Sequence, residues 1–437
     1  MGYWLKAGAQ ALKRIALKEA IAHLNQGLEL VGKLPPSSAR DLQEVDLRTR
    51  LGTTWMALKG WGAPEVWTSF YPALELVKSL GSAKGLLPIY YGLTSNVLTQ
   101  GRVVESLHWV NEMLAAAKVS GDLDFLIEAE RAACVTRFWK GDLAEACAHG
   151  DRVLTLYRDA DHRHLAESTN TDPKATVGLH MAFSSWLQGY PDRAVEIDEA
   201  SLSHSRRVNH PFDLGFTLSF SGQLFDFRGE PAQVLARAEE AEKLGRLHSL
   251  PIIADVLAQL MKGVAWIRTG RIAAGVPRLK GALELWRAND LQTCAPIFRA
   301  IAAEGLALSG QVDEGLQLIE ENLAQIARPG WGERVYQAEF LRLKGWMLAL
   351  QGDLDGAEQN FQSSLDWARE QKAKSWELRT ATSLARLWQS QGRRHDAYEL
   401  LAPIYGWFTE GFDTKDLKEA KGLIEDLSGG QQKGPGL

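Results

Sequence analysis

Residues 373–397 read AKSWELRTATSLARLWQSQGRRHDA. Apolar side chains recur three and four apart on either side of a short polar break, QGRR at 391–394. That pattern predicts two helices joined by a tight turn at Gly392, with 373–392 as the first helix and RRHDAYELLAPIYGWF, 393–408, as the second. Ala385 and Ala397 flank the turn, where short side chains let two helices cross closely. Trp376, Leu384 and Trp388 are expected to seal the end of the array, and Arg379 and Arg386, about two helical turns apart, share a face.

The same arrangement recurs along the 437 residues. Gly60, Gly101, Gly141, Gly189, Gly229, Gly270, Gly310, Gly352 and Gly392 follow one another at about forty residues, with one longer step after Gly141. Five positions after these glycines stand mostly small residues, among them Ser106, Ala146, Ala194, Gly275, Gly315 and Ala357. Seven positions before them stand Thr53, Thr94, Cys134, Ala182, Gly222, Gly263, Ala303 and Gly345. Two small-residue columns around a glycine are what a close helix hairpin needs. They resemble the tetratricopeptide pattern with a longer period. The fold expected is all-α: a tetratricopeptide-like helix-hairpin solenoid forming a right-handed superhelix.

About nine such units cover 41–412. Residues 1–34 predict a helix pair that follows an upstream domain, with Ala20 as its small residue; LPPSSARD then breaks the helix. Residues 413–427 predict a capping helix starting at Asp413 or Thr414, and 428–437 a polar, disordered tail. The stretch RDADHRHLAESTNTDPKA reads as a polar loop between two ordinary pairs. Asp142 with Glu145 suggests an acidic capping box, and Asp353 an N-cap.

Composition removes several classes. A net charge of −5 argues against a general nucleic-acid binder. No run of eighteen apolar residues predicts a membrane span, and the charged N-terminus lacks a signal-type apolar core. Cys134, Cys147 and Cys294 show no metal spacing, and their odd number suits a reducing, cytoplasmic compartment. GLELVGKL, Gly27–Leu34, nearly spells a phosphate loop, but Leu34 stands where a hydroxyl is needed and the segment reads as helix interior. His149, His162, His164 and His180 form the one histidine-rich region; a solvated loop explains His162 and His164 better than a metal site. His210 is read as a cap for the helix before it, with a partner contact as the alternative, and Cys134 and Cys294 as buried spacers. Nothing pairs a nucleophile with a base. No catalytic residue, cofactor or metal is therefore expected.

The opening stretch, continued as YELLAPIYGWFTEGFDTKDLKEAKGLIEDL, resembles the C-terminal end of a family of large bacterial signalling proteins. In these, an adenylate/guanylate cyclase-like domain often precedes a signal-transduction ATPase domain and then a helical-repeat region. WLKAGAQALKRIALKEAIAHLNQGLELV is similar to the junction after the ATPase, and HRHLAESTNTDPKATVGLHMAFSSWLQGYPDRA to the middle signature with Asp172-Pro173. NHPFDLGFTLSF and AEFLRLKG agree as well. The family often has an aromatic after the histidine-rich run and a glycine before Asp172; this chain has AESTNTD. The resemblance, over roughly 1–427, implies a sensory or interaction region that regulates an attached or associated ATPase or cyclase.

A solenoid of helix pairs offers the inner face of its first helices as a binding surface. Counting back from each turn glycine places Arg50, Tyr91, Glu128, Arg131, Phe183, Gln223, Arg342, Trp346, Arg379 and Arg386 on or near that face. Guanidinium and aromatic groups of this kind are favoured in protein interfaces. The function expected is a non-catalytic scaffold for a protein or peptide, including its own upstream domains. The alternative is a domain that binds a small-molecule effector in the groove.

Overall fold

The computed structural model describes residues 17–81 and 85–429. Every regular element among these residues is helical. The first half of the predicted N-terminal pair and nearly all of the predicted tail lie outside the described residues. Helix α1 (Leu17–Val31) precedes nine hairpins. These are α2 (Ser38–Lys59) with α3 (Pro64–Ser79), α4 (Leu86–Thr99) with α5 (Val103–Ser120), and α6 (Leu123–Lys140) with α7 (Leu143–Leu156). Two short helices, α8 (Asp159–His162) and α9 (Leu165–Thr169), come next. The array resumes with α10 (Pro173–Leu187) and α11 (Pro191–Val208), then α12 (Pro211–Arg228) and α13 (Pro231–Leu247). A π-helical turn, Ile252–Leu257, leads into α14 (Ala258–Arg268), which pairs with α15 (Ile272–Ala288). The last hairpins are α16 (Ala295–Leu308) with α17 (Val312–Ile326), α18 (Gln337–Gln351) with α19 (Leu354–Glu370), and α20 (Lys374–Ser390) with α21 (Arg394–Tyr405). Helix α22 (Lys415–Gly429) follows them.

The glycine period is a backbone requirement. All nine turn glycines have φ between 78° and 95°, in the left-handed region that ends helices and that a Cβ disfavours. The two small-residue columns meet across the turns at Gly270, Gly310 and Gly352. A Cβ on Gly275 would press on the carbonyl of Gly263, one on Gly315 on that of Ala303, and one on Gly345 on that of Ala357. Ala303, Ala357, Ala385 and Ala397 are fully buried.

Some local readings change. Asp353 caps α19 through the Gly356 amide, but Asp142 makes no such bond. Arg137 and Lys140, in the last turn of α6, draw its carboxylate away, and Arg137 also pairs with Glu145. His210 caps the helix after it, not the one before: its Nδ1 accepts from the Asp213 amide. Thr414 stands just before α22, and its hydroxyl donates to the Gly411 carbonyl. The segment between α7 and α10 is solvated only in part: residues 158–161, Arg163, His164 and Glu167 are exposed, but Thr169, Thr171 and Asp172 are buried and so is His162, which accepts from the Arg158 amide. Asp172 accepts from the amides of Lys174 and Ala175 at the start of α10, from the Tyr157 hydroxyl and from His204, while its own amide donates to Asp213. Pro173 occupies the first helical position, where its missing N–H costs nothing.

The array winds until its later hairpins rest on its earlier ones. The carbonyl of Thr99, at the end of α4, accepts from the amides of Gln292 and Thr293 at 2.8 and 3.1 Å. Trp139, near the end of α6, accepts from the Arg334 amide at 2.9 Å, and Trp331 accepts from the Val103 amide at 2.8 Å. Trp186, near the end of α10, accepts from the Ser375 hydroxyl, 189 residues away. Phe227, near the end of α12, accepts from Arg379 at 2.6 Å. Glu410 receives the amides of Asp192 and Arg193 at 2.8 and 3.0 Å.

The turn glycines record the same contact. A Cβ on Gly101, Gly141, Gly189 or Gly229 would collide with Trp331, Gln371, Trp407 or Lys415, whereas one on Gly270, Gly310, Gly352 or Gly392 would meet open space. Gly62 needs the space rather than the angle. Its φ is not positive, yet a Cβ there would run into the Asp290 carbonyl. Gly281, inside α15, has nothing near it. Gly62→Ala is therefore expected to lower stability by about 1–3 kcal/mol, and Gly281→Ala to raise it by about 0.4–1 kcal/mol. Urea unfolding of both variants checks this; equal effects would contradict a close seam at Gly62.

Candidate functional site

Winding brings side chains of the earlier hairpins, α2 to α13 (the first coil), and of the later ones, α14 to α21 (the second coil), onto one axis, and aromatic rings fill its middle. Phe138 and Trp139 of α6, Phe183 and Trp186 of α10 and Phe227 of α12 come from the first coil; Tyr336 and Trp376 come from the second. Trp186 lies 4.9 Å from both Phe227 and Trp376 between centroids. Tyr336 lies 5.9 Å from Phe227, 6.1 Å from Trp139 and 6.3 Å from Phe138. Stacked and edge-to-face pairs of this kind add about 0.5–1.5 kcal/mol each beyond the area they bury. Trp376 thus sits fully buried at the centre of the axis and does not seal the end of the array; Leu384 and Trp388 pack nearer α22.

The cluster separates two spaces of opposite character. One is an apolar cavity of about 140 Å³ among α4, α6, α10, α12, the π-helical turn and the 291–294 segment. The other is a charged groove of about 500 Å³ along α14, α16, α18, α20 and α22. Arg379 bounds the groove and closes the cluster: its guanidinium lies 5.0 Å from the rings of Trp186 and Trp376 and bonds Asp416 at 2.7 Å.

The ten residues read from the sequence divide accordingly. Tyr91, Arg131 and Phe183 line the apolar cavity. Arg342, Trp346, Arg379 and Arg386 line the groove. Arg50, Glu128 and Gln223 line neither. Arg50 pairs with Asp46 on its own helix, and Gln223 is buried, donating to the Tyr336 hydroxyl. Glu128 is buried against Arg131 at 2.6 Å; burial raises its carboxyl above the usual range, against the pull of that guanidinium. Arg131 also stacks on Tyr91, whose hydroxyl donates to Thr169. These three residues anchor the segment between α7 and α10.

Counting guanidiniums and rings missed the acidic half of the groove. Arg268 bonds both Asp226 and Glu304, Arg342 bonds both oxygens of Glu339 at 2.7 Å, and Arg386 bonds Glu419 at 3.0 Å. Glu304 was within reach of the register, since it stands six before Gly310 as Trp346 and Arg386 stand six before Gly352 and Gly392. Asp416 and Glu419 were not, because α22 lies outside the repeat. Burial would raise the Glu304 carboxyl, but Arg268, Arg342 and Arg379 hold it down at about 2. Among the described residues no group of three or more His, Cys, Asp or Glu could hold a metal ion. No described helix is long and apolar enough to cross a membrane.

No family model matches the sequence. An uncharacterized protein of Rhizobium meliloti (strain 1021) is 21% identical over 395 residues, 88% of this chain. The chain spans 37% of that relative's length. Among solved structures, the Rap conjugation gene regulator of the plasmid pLS20, in complex with a peptide, superposes with a TM-score of 0.50 at 13% identity, over 92% of this chain and 100% of that one. A Rap protein complexed with competence and sporulation factor covers 99% of this chain and 97% of its own, with a TM-score of 0.44 at 10% identity.

Arg379 and Arg386 share a face but not a role. Arg379→Gln strands Asp416 and a first-coil carbonyl, and is expected to cost about 3–5 kcal/mol. Arg386, half exposed with a single partner, should cost under about 1 kcal/mol when changed to Gln. Denaturant unfolding of the two variants separates them. Glu304 supplies a pH signature. Its folded pKa lies below the ordinary 4.5, so its contribution is full above about 4.5 and is lost as pH falls towards 2. The stability gap between wild type and Glu304→Gln should be widest above pH 5 and close on acidification, which thermal melts across pH will show.

Proposed function

We propose that the chain is a non-catalytic protein-interaction scaffold that takes a peptide along the charged groove, and that it is the sensory region of a bacterial signalling ATPase or nucleotide cyclase. The composition of the groove carries the first part. Five cationic residues, Arg268, Arg342, Arg379, Arg386 and Lys415, face five acidic ones, Asp226, Glu304, Glu339, Asp416 and Glu419. An extended peptide presents alternating N–H and C=O groups, and such walls offer acceptors and donors for both. Trp346, Phe361 and Leu387 add apolar footing for side chains. The rim cations Arg386 and Lys415 are more than half exposed, so they are open to a partner. A peptide ligand also agrees with the plasmid regulator that shares this fold and was solved with one.

The regulatory part rests on the sequence resemblance and on the much greater length of the Rhizobium relative. In such an arrangement the scaffold supplies no reacting group; it converts occupancy of its groove into a change of state in an attached or associated enzyme.

Selection of displayed peptides on the full chain tests the groove. Selected peptides should bind the double variant Arg386→Glu/Lys415→Glu at least tenfold more weakly, with its circular dichroism unchanged. Undiminished binding would place the peptide elsewhere. The same peptides should alter ATP turnover or cyclic-nucleotide output of the enzyme that carries or binds this region; no change would remove the regulatory part.

A further inference from the structure

The apolar cavity lies across the aromatic cluster from the groove and has its own chemistry. Its walls come from both coils: Leu98 and Thr99 belong to the first, and Leu291, Thr293 and Cys294 to the segment that docks on them. Phe212, Phe216 and Phe220 form a continuous aromatic side, with successive centroids 6.4 and 4.6 Å apart. Trp61 meets Phe212 edge-on at 5.5 Å, and both are only partly buried, which puts the mouth of the cavity between them. The volume, about 140 Å³, matches the roughly 150 Å³ at which an apolar protein cavity stays dry and accepts one benzene ring.

Thr176 Oγ1 and Trp286 Nε1 in this lining have no hydrogen-bond partner among the described residues, and the accepting nitrogen of His180 has none either. His180 is 7% exposed, and its Nδ1 lies 2.8 Å from the Thr176 carbonyl. A carbonyl only accepts, so Nδ1 carries the proton and Nε2 keeps a lone pair. No described residue hydrogen-bonds that nitrogen. Burial lowers the ring's pKa to about 4, so it stays neutral and accepting above that. Arg131, the cation nearby, is committed to Glu128 and to the face of Tyr91.

We propose that this cavity is a binding site for a single-ring aromatic molecule bearing one hydrogen-bond donor, a phenol, with its ring against Phe183, Phe216 and Phe220 and its hydroxyl donating to His180 Nε2. The ligand bridges the two coils, so it binds only the closed superhelix and raises the temperature at which the chain unfolds. The site is separate from the peptide groove and stands or falls without it.

Phenol and toluene, equal in size and differing in the donor, test this on the full chain by calorimetry and thermal shift. Phenol should raise the melting temperature and bind about tenfold tighter than toluene, the worth of one neutral hydrogen bond. His180→Phe should abolish that preference and leave toluene binding intact. Ser95→Phe, which fills the cavity from a partly buried wall, should abolish binding of both. If His180→Phe does not fold, wild type decides: phenol affinity should hold from pH 8 to 5 and fall towards pH 4, while toluene affinity stays flat. No melting shift with phenol, a preference that survives in His180→Phe, or one pH profile for both ligands overturns the proposal.

Discussion

The structure depends on where the last carbonyls of four helices find their partners. Any α-helix leaves its C-terminal carbonyls without intrahelical donors. In α4, α6, α10 and α12 one such carbonyl each, on Thr99, Trp139, Trp186 and Phe227, accepts from a residue of the second coil. These bonds set how tightly the solenoid winds. They also explain why Gly101, Gly141, Gly189 and Gly229 carry a double constraint, being left-handed and lacking room for a Cβ.

From that winding follows the division of the axis. A looser coil would leave a continuous groove along the inner face. Here Tyr336 and Trp376 enter between the first-coil rings and fill it. The two remaining spaces differ because their contributors differ. First helices of the first coil bring Phe183, Phe216 and Phe220, and those of the second bring Arg268, Glu304, Glu339 and Arg342. The charges survive burial because each has a partner at hydrogen-bonding distance, without which desolvation would neutralise them. The two spaces also share a wall: His180 and Phe183 touch the cluster from one side and Arg379 from the other.

The segment between α7 and α10 shows how a polar sequence becomes a buried one. Its charged and hydroxyl side chains suggested solvent, yet Asp172 is fully buried. Two amides at the head of α10, the Tyr157 hydroxyl and His204 satisfy its carboxylate. Glu128, Arg131 and Tyr91 hold the segment from the α4–α6 side through Thr169. Burial of polar groups is tolerable when each is hydrogen-bonded, and a linear pattern of residue types does not show whether it will be.

The repeat was legible in the sequence because its causes are local. A left-handed turn calls for glycine, a close hairpin crossing calls for small residues at fixed offsets from it, and both recur at one period from Gly60 to Gly392. Part of the groove was legible for the same reason: register alone put Arg342, Trp346, Arg379 and Arg386 on one strip. Only the tertiary structure decided that Gln223 is buried beneath Tyr336, that Trp376 sits in the axis, and that Asp416 and Glu419 complete the strip from outside the repeat. The first two depend on residues some 110 to 190 positions apart meeting across the seam, and the third on a helix outside the repeat folding back over positions 37 and 33 residues earlier. The pitch that brings them together is a sum of small rotations over many hairpins, and no window of sequence contains it.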